Sequence, residues 1–506
     1  MKKIDRRPLV LIVIEGLGHS NSHEGNAVAL AHTPFYDEIR QNYPFTLLKA
    51  SGEDVGLPKD SPGDAQVGYM NIGAGRIVKT DIMRIKQHIE NGRFYENKVL
   101  IEAMQKATTS SLHLVGLLSN AEVHSSQEVL FALLRMAKNH GVTNVFVHGI
   151  LDGKDVPIRT ADAFVEAVEV KMTEIQIGKI ATLCGRYYAM DKDENWELTA
   201  RVYTMLVYSE GERIKDAVTA VRRSFLRGIS DEYIRPIVLE DEEGNPIGSI
   251  KDGDVVIFFN HRGDGMRQLV RALLRDELHT NRPATHMVCL TEYDENLSLP
   301  VAFPKEPHQN VLAEVFSNYN IKNCRIAEGD KIHFVSDFFN VGFKADDERR
   351  VIIPAVKNYM LAPEMASFKI TDAVLQRIEA DEEDVFIVDF SAPDVLASSG
   401  DLQRTIESIQ FVDTCIGAIV KRVLQIDGVV VLTSTHGHCE ELLTFNGKNP
   451  AITSFNKVPF HLIDKRSNGI KLREEGSLRD VAPTILGILG ISKPDEMTGE
   501  DLRENV

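Results

Sequence analysis

The segment His436-Gly437-His438-Cys439-Glu440-Glu441 gathers two imidazoles, a thiol and two carboxylates into one short stretch. A His-x-His-Cys grouping can bind zinc. No second Cys/His pair at finger-like spacing accompanies it, although His261 could face the loop from elsewhere in the chain. A solvated loop is the other reading of these residues. Glu15 and Asp394 carry a similar choice between metal ligand and ordinary cap or partner of a nearby basic residue. His436 equally suits a backbone hydrogen bond at a strand end.

The elements that must position these groups are legible in the pattern. Short β-branched runs at Leu9 to Ile14, Leu112 to Leu118, Asn144 to His148, Lys179 to Leu183, Val255 to Asn260, Val385 to Phe390 and Val429 to Thr433 alternate with helical patterns. Buried parallel strands produce such runs. The chemistry-bearing residues follow the strand ends, and open α/β sheets place ligands at those carboxyl edges. No repeat, low-complexity tract or coiled coil interrupts the scheme.

The chain has 506 residues, so two domains are expected, because single cores stop growing near about 250–300 residues. A net charge of −17 argues against a nucleic-acid footprint while allowing a local basic pocket for an anion. Five scattered cysteines without a Cys-x-x-Cys pair suit a reducing, cytoplasmic compartment and no disulfide framework. The apolar run from Pro8 ends at Glu15, too short to span a membrane and without a small-residue cleavage site, so it reads as a buried strand.

The stretch Gly63-Asp64-Ala65-Gln66-Val67-Gly68-Tyr69-Met70-Asn71-Ile72-Gly73-Ala74-Gly75-Arg76 resembles the nucleophile loop of cofactor-independent phosphoglycerate mutases. The resemblance continues through Ile14-Glu15-Gly16-Leu17-Gly18, Glu24-Gly25-Asn26-Ala27, Val123-His124-Ser125, His148 to Asp155, Gly185 to Asp193, Phe258 to Arg262, Glu328 to Lys331, Pro393-Asp394, Thr435-His436-Gly437 and Asp480 to Thr484. It implies an α/β fold of two domains. An alkaline-phosphatase-like discontinuous domain, 1–76 plus 310–506, would carry an inserted transferase-like, substrate-binding domain, 77–309. Hinges would lie at Ala74 to Ile77 and His308 to Asn310.

The resemblance also implies two metal ions. One would be held at the positions of Glu15, Ala65, Thr435 and His436, the other at Asp394, Ser398 and Thr453. Glu15, Asp394 and His436 are strong donors, whereas Ala65, at the nucleophile position, offers a methyl group, and Ser398, Thr435 and Thr453 offer neutral hydroxyls. By the same resemblance a phosphorylated acid would be bound by His124, Lys154, Asp155, Arg186, Lys192, Arg262 and Lys331. Lys154 and Lys192 stand where arginines are usual, so charge is kept while bidentate geometry is lost. Gly265 and Tyr69 occupy positions where an arginine and a histidine are usual.

Taken position by position, these residues lead to the expectation of a catalytically impaired, mutase-like protein with no cofactor. It would bind a phosphorylated small acid such as phosphoglycerate, or a protein partner, in a regulatory or structural role in the cytoplasm, without nucleic acid or membrane. The alternative is an active metal-dependent phosphoglycerate mutase, or a phosphatase-like hydrolase using a bound water, with Mn2+ or Mg2+ in an atypical site.

Overall fold

The computed structural model describes residues 8–504 apart from 276, 279, 295, 346–347, 357, 443–452 and 468. The chain forms two compact units, one of Met1–Thr80 with Pro307–Val506, the other of Asp81–Glu306. The first is discontinuous because the second is inserted into it.

The first unit is built on eight strands in the order Glu348–Ile353, Asn323–Glu328, Val385–Phe390, Leu9–Ile14, Val429–Thr433, Val458–Ile463, Phe45–Lys49 and Glu475–Ser477. The first five run parallel, and Val458–Ile463 is antiparallel to both its neighbours. The central strand is apolar at every position because helices cover both its faces. Leu9, Leu11 and Val13 enter one core while Val10, Ile12 and Ile14 enter the other, as the two-residue period of a strand requires.

The second unit holds seven strands in the order Glu212–Ile214, Ile237–Leu239, Lys179–Gly185, Asn144–Leu151, Ser111–Leu118, Val255–Phe258 and His286–Cys289. All neighbours are parallel except Lys179–Gly185 with Ile237–Leu239. Its sheet also divides two cores, Leu112 and Leu114 facing one and Val115 and Leu117 the other. The apolar runs read from sequence are therefore central strands, and in each unit the parallel ones deliver their carboxyl ends to one edge.

Candidate active site and metal centre

In the first unit three neighbouring parallel strands end side by side. Leu9–Ile14 runs into Glu15 and Gly16, Val385–Phe390 into the helix Ala392–Ser398 bearing Asp394, and Val429–Thr433 into Ser434 to His438. The loops are tied together by backbone. The Gly16 carbonyl accepts from the N–H groups of His438 at 3.1 Å and Cys439 at 2.8 Å, and the Glu15 N–H donates to Phe390 O at 3.1 Å. Gly16 has φ +79°, and a Cβ there would lie 3.1 Å from Asp394 Cβ and 3.2 Å from Cys439 Sγ, so both conformation and crowding call for glycine.

Asp394 is the hub. Its Oδ1 lies 3.0 Å from His436 Nε2 and 2.7 Å from His438 Nδ1. One donor atom from each of these three residues falls within 4.8 Å of the others, the single such grouping among the described residues. Both imidazoles are fully buried. Burial by itself would raise the Asp394 pKa, but His436, His438 and Lys331 outweigh it and hold the group well below the ordinary carboxylate value. Burial pushes His436 the other way, and the Asp394 carboxylate overcomes it to raise the imidazole.

Beside this hub, Glu15 is fully buried and pairs with Lys331, whose ammonium also sits 4.6 Å from the Phe334 ring centroid. Burial raises Glu15 against the opposing pull of Lys331. Asp389, wholly buried near the end of its strand, accepts from the Tyr69 hydroxyl at 2.7 Å, and burial with Glu15 nearby raises its pKa strongly. Glu15 Oε1, Asp389 Oδ2 and His438 Nε2 are buried without a hydrogen-bond partner.

The other implied ligand positions do not complete a two-ion set. Ala65 opens the helix Ala65–Ala74, capped by Asp64, and contributes only a methyl group. Thr435 Oγ1 is 2.9 Å from His436 Nδ1, the Thr453 hydroxyl donates to the Gly63 carbonyl, and Ser398 is exposed at the end of its helix. Cys439 is buried with Ala27, Ala397 and Leu442, and burial raises its thiol far above the ordinary value. Glu440 accepts from the N–H groups of Gly18 at 3.0 Å and His438 at 2.8 Å, and from the Ser454 hydroxyl. These residues therefore do not fit two ions, and of the His436 to Glu441 segment only the imidazoles point to a metal.

In the second unit the carboxyl edge gathers cations on a frame of carboxylates. Asp152 and Asp155, after Asn144–Leu151, bind Arg186 Nη1 at 2.6 and 2.5 Å. Ser119 donates to Asp152 Oδ2 at 2.7 Å, and the N–H groups of Lys154 and Asp155 donate to its Oδ1. Asp264, after Val255–Phe258, lies 3.1 Å from Lys192, 3.2 Å from Arg262 and 3.5 Å from His124 Nδ1. Burial opposes ionisation of Asp264, yet His124, Arg262 and Lys192 hold its pKa far below the usual carboxylate range. His124 Nε2 is also 3.8 Å from Asp155. The expected binding residues His124, Asp155, Arg186, Lys192 and Arg262 thus meet, Lys154 points to solvent, and Lys331 serves the other unit. His261 is enclosed in the second unit, its N–H donating to His124 O at 2.9 Å.

The family model described as "BPG-independent PGAM N-terminus" matches residues 85–295. A 2,3-bisphosphoglycerate-independent phosphoglycerate mutase of Moorella thermoacetica is 42% identical over 507 residues, covering 98% of both chains. One from Methanococcoides burtonii is 41% identical over 514 residues, covering 99% of both. This chain belongs to the 2,3-bisphosphoglycerate-independent phosphoglycerate mutase family. A crystal structure of Leishmania mexicana phosphoglycerate mutase, obtained at low cobalt concentration, matches with TM-score 0.80 at 26% identity over 100% of this chain and 99% of that one.

Family membership on this scale corrects two expectations. A catalytically impaired protein is overturned by relatives of nearly equal length that are named mutases, and a cofactor-free protein conflicts with the same relatives and with the cobalt-associated structure. Counting ligand positions one at a time misses donors that neighbouring positions bring to the same place, as His438 comes to Asp394 and His436.

Asp152, Asp264 and Asp389 do not stand out as site residues in the sequence. A lone carboxylate inside the apolar run Val385 to Phe390 was the available signal for Asp389. For Asp152 and Asp264 the signal was an acid just after a strand end among cations, which sequence does not distinguish from a turn residue.

Proposed function

We propose that the protein is a metal-dependent phosphoglycerate mutase interconverting 2- and 3-phosphoglycerate in the cytoplasm. The second unit would bind the phosphorylated acid and the first would carry the divalent cation. The observation that carries this reading is the cation cluster at the carboxyl edge of the second unit, in a chain of this family. Phosphoglycerate presents a phosphate and a carboxylate; Arg186, Lys192 and Arg262 supply the converging charge such an anion needs, and His124 adds a ring nitrogen beside them. Asp152 and Asp155 orient Arg186, and Asp264 orients the other three. Ser125 Oγ, next to His124 in sequence, and Asn260 Nδ2, two residues before Arg262, are buried without partners and suit a ligand's oxygens. Five free, buried cysteines support the reducing compartment.

A second reading is favoured by the methyl side chain of Ala65, which cannot carry a phosphoryl group. It is hydrolysis: a water oxygen bonds phosphorus, the ester P–O bond breaks, and a water proton ends on the released alcohol, giving glycerate and phosphate. The test is to incubate the full chain with 3-phosphoglycerate and Mn2+ or Co2+, following 2-phosphoglycerate and free phosphate in parallel. 2-Phosphoglycerate that disappears with chelator and in Arg186→Ala is the expected result. Free phosphate alone selects hydrolysis, and neither product sinks both readings.

A further inference from the structure

We propose that the first unit holds a single divalent ion on Asp394, His436 and His438, with the Lys331 ammonium acting as a fixed internal cation at Glu15. The inference builds on the metal dependence just proposed. It departs from the two-ion arrangement that the family resemblance implies, in which His438 has no part.

The three donors come from the helix Ala392–Ser398 and the Ser434 to His438 loop; the Glu15 N–H bonds Phe390 O, just before that helix, and the Gly16 carbonyl bonds the N–H groups of His438 and Cys439, so their approach is built into the fold. The atoms that meet are Asp394 Oδ1, His436 Nε2 and His438 Nδ1. Two imidazoles and one carboxylate with further coordination positions open are a donor set for a catalytic ion of the zinc or cobalt type. Thr435 Oγ1, 2.9 Å from the other nitrogen of His436, sets that ring's orientation from behind, the usual role of an outer partner. On this assignment Thr435 is a positioning residue.

Charge argues for one ion. Glu15, Asp389 and Asp394 contribute at most three negative charges, which one divalent ion and Lys331 would balance. A second ion would have to displace Lys331 from Glu15 and find its remaining ligands at Ala65, Ser398 and Thr453. The first has no donor atom, the second is exposed, and the third is engaged with the Gly63 carbonyl. An ammonium that meets a buried carboxylate by ion pairing needs none of those ligands.

The test is metal binding, read separately from turnover. The full chain is stripped with chelator, loaded with Co2+, desalted, and assayed by elemental analysis and visible absorption. One equivalent per chain is expected, with cobalt affinity falling more than about 100-fold in His438→Ala, beyond the loss typical of an outer-shell partner. Ser398→Ala and Thr453→Ala should bind as the parent does. Circular dichroism checks folding, and His438→Asn keeps a polar group if the alanine variant does not fold. Two equivalents, no bound cobalt, or unchanged affinity in folded His438 variants would overturn the assignment. One equivalent without mutase turnover would remove the proposed reaction and leave the site standing; turnover with two equivalents would do the reverse.

Discussion

The two units solve the same architectural problem with different balances of charge. Each presents the carboxyl ends of parallel strands along one edge. In the first unit that edge collects Glu15, Asp389, Asp394 and two imidazoles with Lys331; in the second it collects Arg186, Lys192, Arg262 and His124 on Asp152, Asp155 and Asp264. A shared sheet topology therefore says where a ligand binds but not which ligand. The side chains just past the strand ends decide that: an acidic, imidazole-bearing edge suits a cation, and a cation-bearing edge suits a phosphorylated acid.

The sharpest contrast to break is between the two lysines. Lys331→Met strands a wholly buried carboxylate and should lower unfolding free energy by about 3–5 kcal/mol, whereas Lys192→Met, at a half-exposed ion pair, should cost about 0–1 kcal/mol. Urea denaturation of the two variants measures the difference; equal losses would contradict the contrast.

Next in size is ligand binding. Arg186→Ala removes a charged donor held by two carboxylates, which corresponds to about 1.5–3 kcal/mol, or roughly 10- to 150-fold weaker affinity for 3-phosphoglycerate. Cobalt stoichiometry in the first unit should not change. Calorimetric titration of the variant with each ligand tests whether the edges are independent.

Acid sensitivity should be common to both units, through one buried histidine in each. Burial lowers His461 in the first unit and His261 in the second to about 3, with Arg40 and His124 adding to the effect. Their folded-state values lie below the unfolded one, so below about pH 6.5 the unfolded chain takes up protons that the folded chain refuses. Stability should fall as pH drops from about 6.5 toward 3, each histidine contributing up to about 1.4 kcal/mol per pH unit. His461→Phe and His261→Phe should each flatten the slope; a slope unchanged in both would refute the assignment.

The smallest effect sets a baseline. Asp64 and Ser126 cap the helices Ala65–Ala74 and Gln127–Asn139, their side chains accepting from Val67 N at 2.8 Å and Glu128 N at 3.3 Å. Asp64→Ala and Ser126→Ala should each cost about 1 kcal/mol in thermal or urea unfolding.

The strands, the α/β class and the family could all be read along the chain. Runs such as Leu9 to Ile14 and Val429 to Thr433 carry their signal locally, because a strand buried on both faces is apolar at nearly every position. Gly16, Asp394 and His436 stand at recognisable places after such runs. What a residue does there depends on partners hundreds of positions away, and only the folded chain supplies them. Glu15 reads as a ligand or a cap until Lys331, 316 residues on, proves to be its partner. Asp389 reads as a stray acid in an apolar run until the Tyr69 hydroxyl meets it. His438 reads as one member of a local cluster until Asp394 draws it and His436 together while burial takes Cys439 elsewhere. Periodicity and burial act locally and leave a pattern in sequence, whereas charge pairing and metal geometry act across space and are decided by which loops the sheet brings side by side.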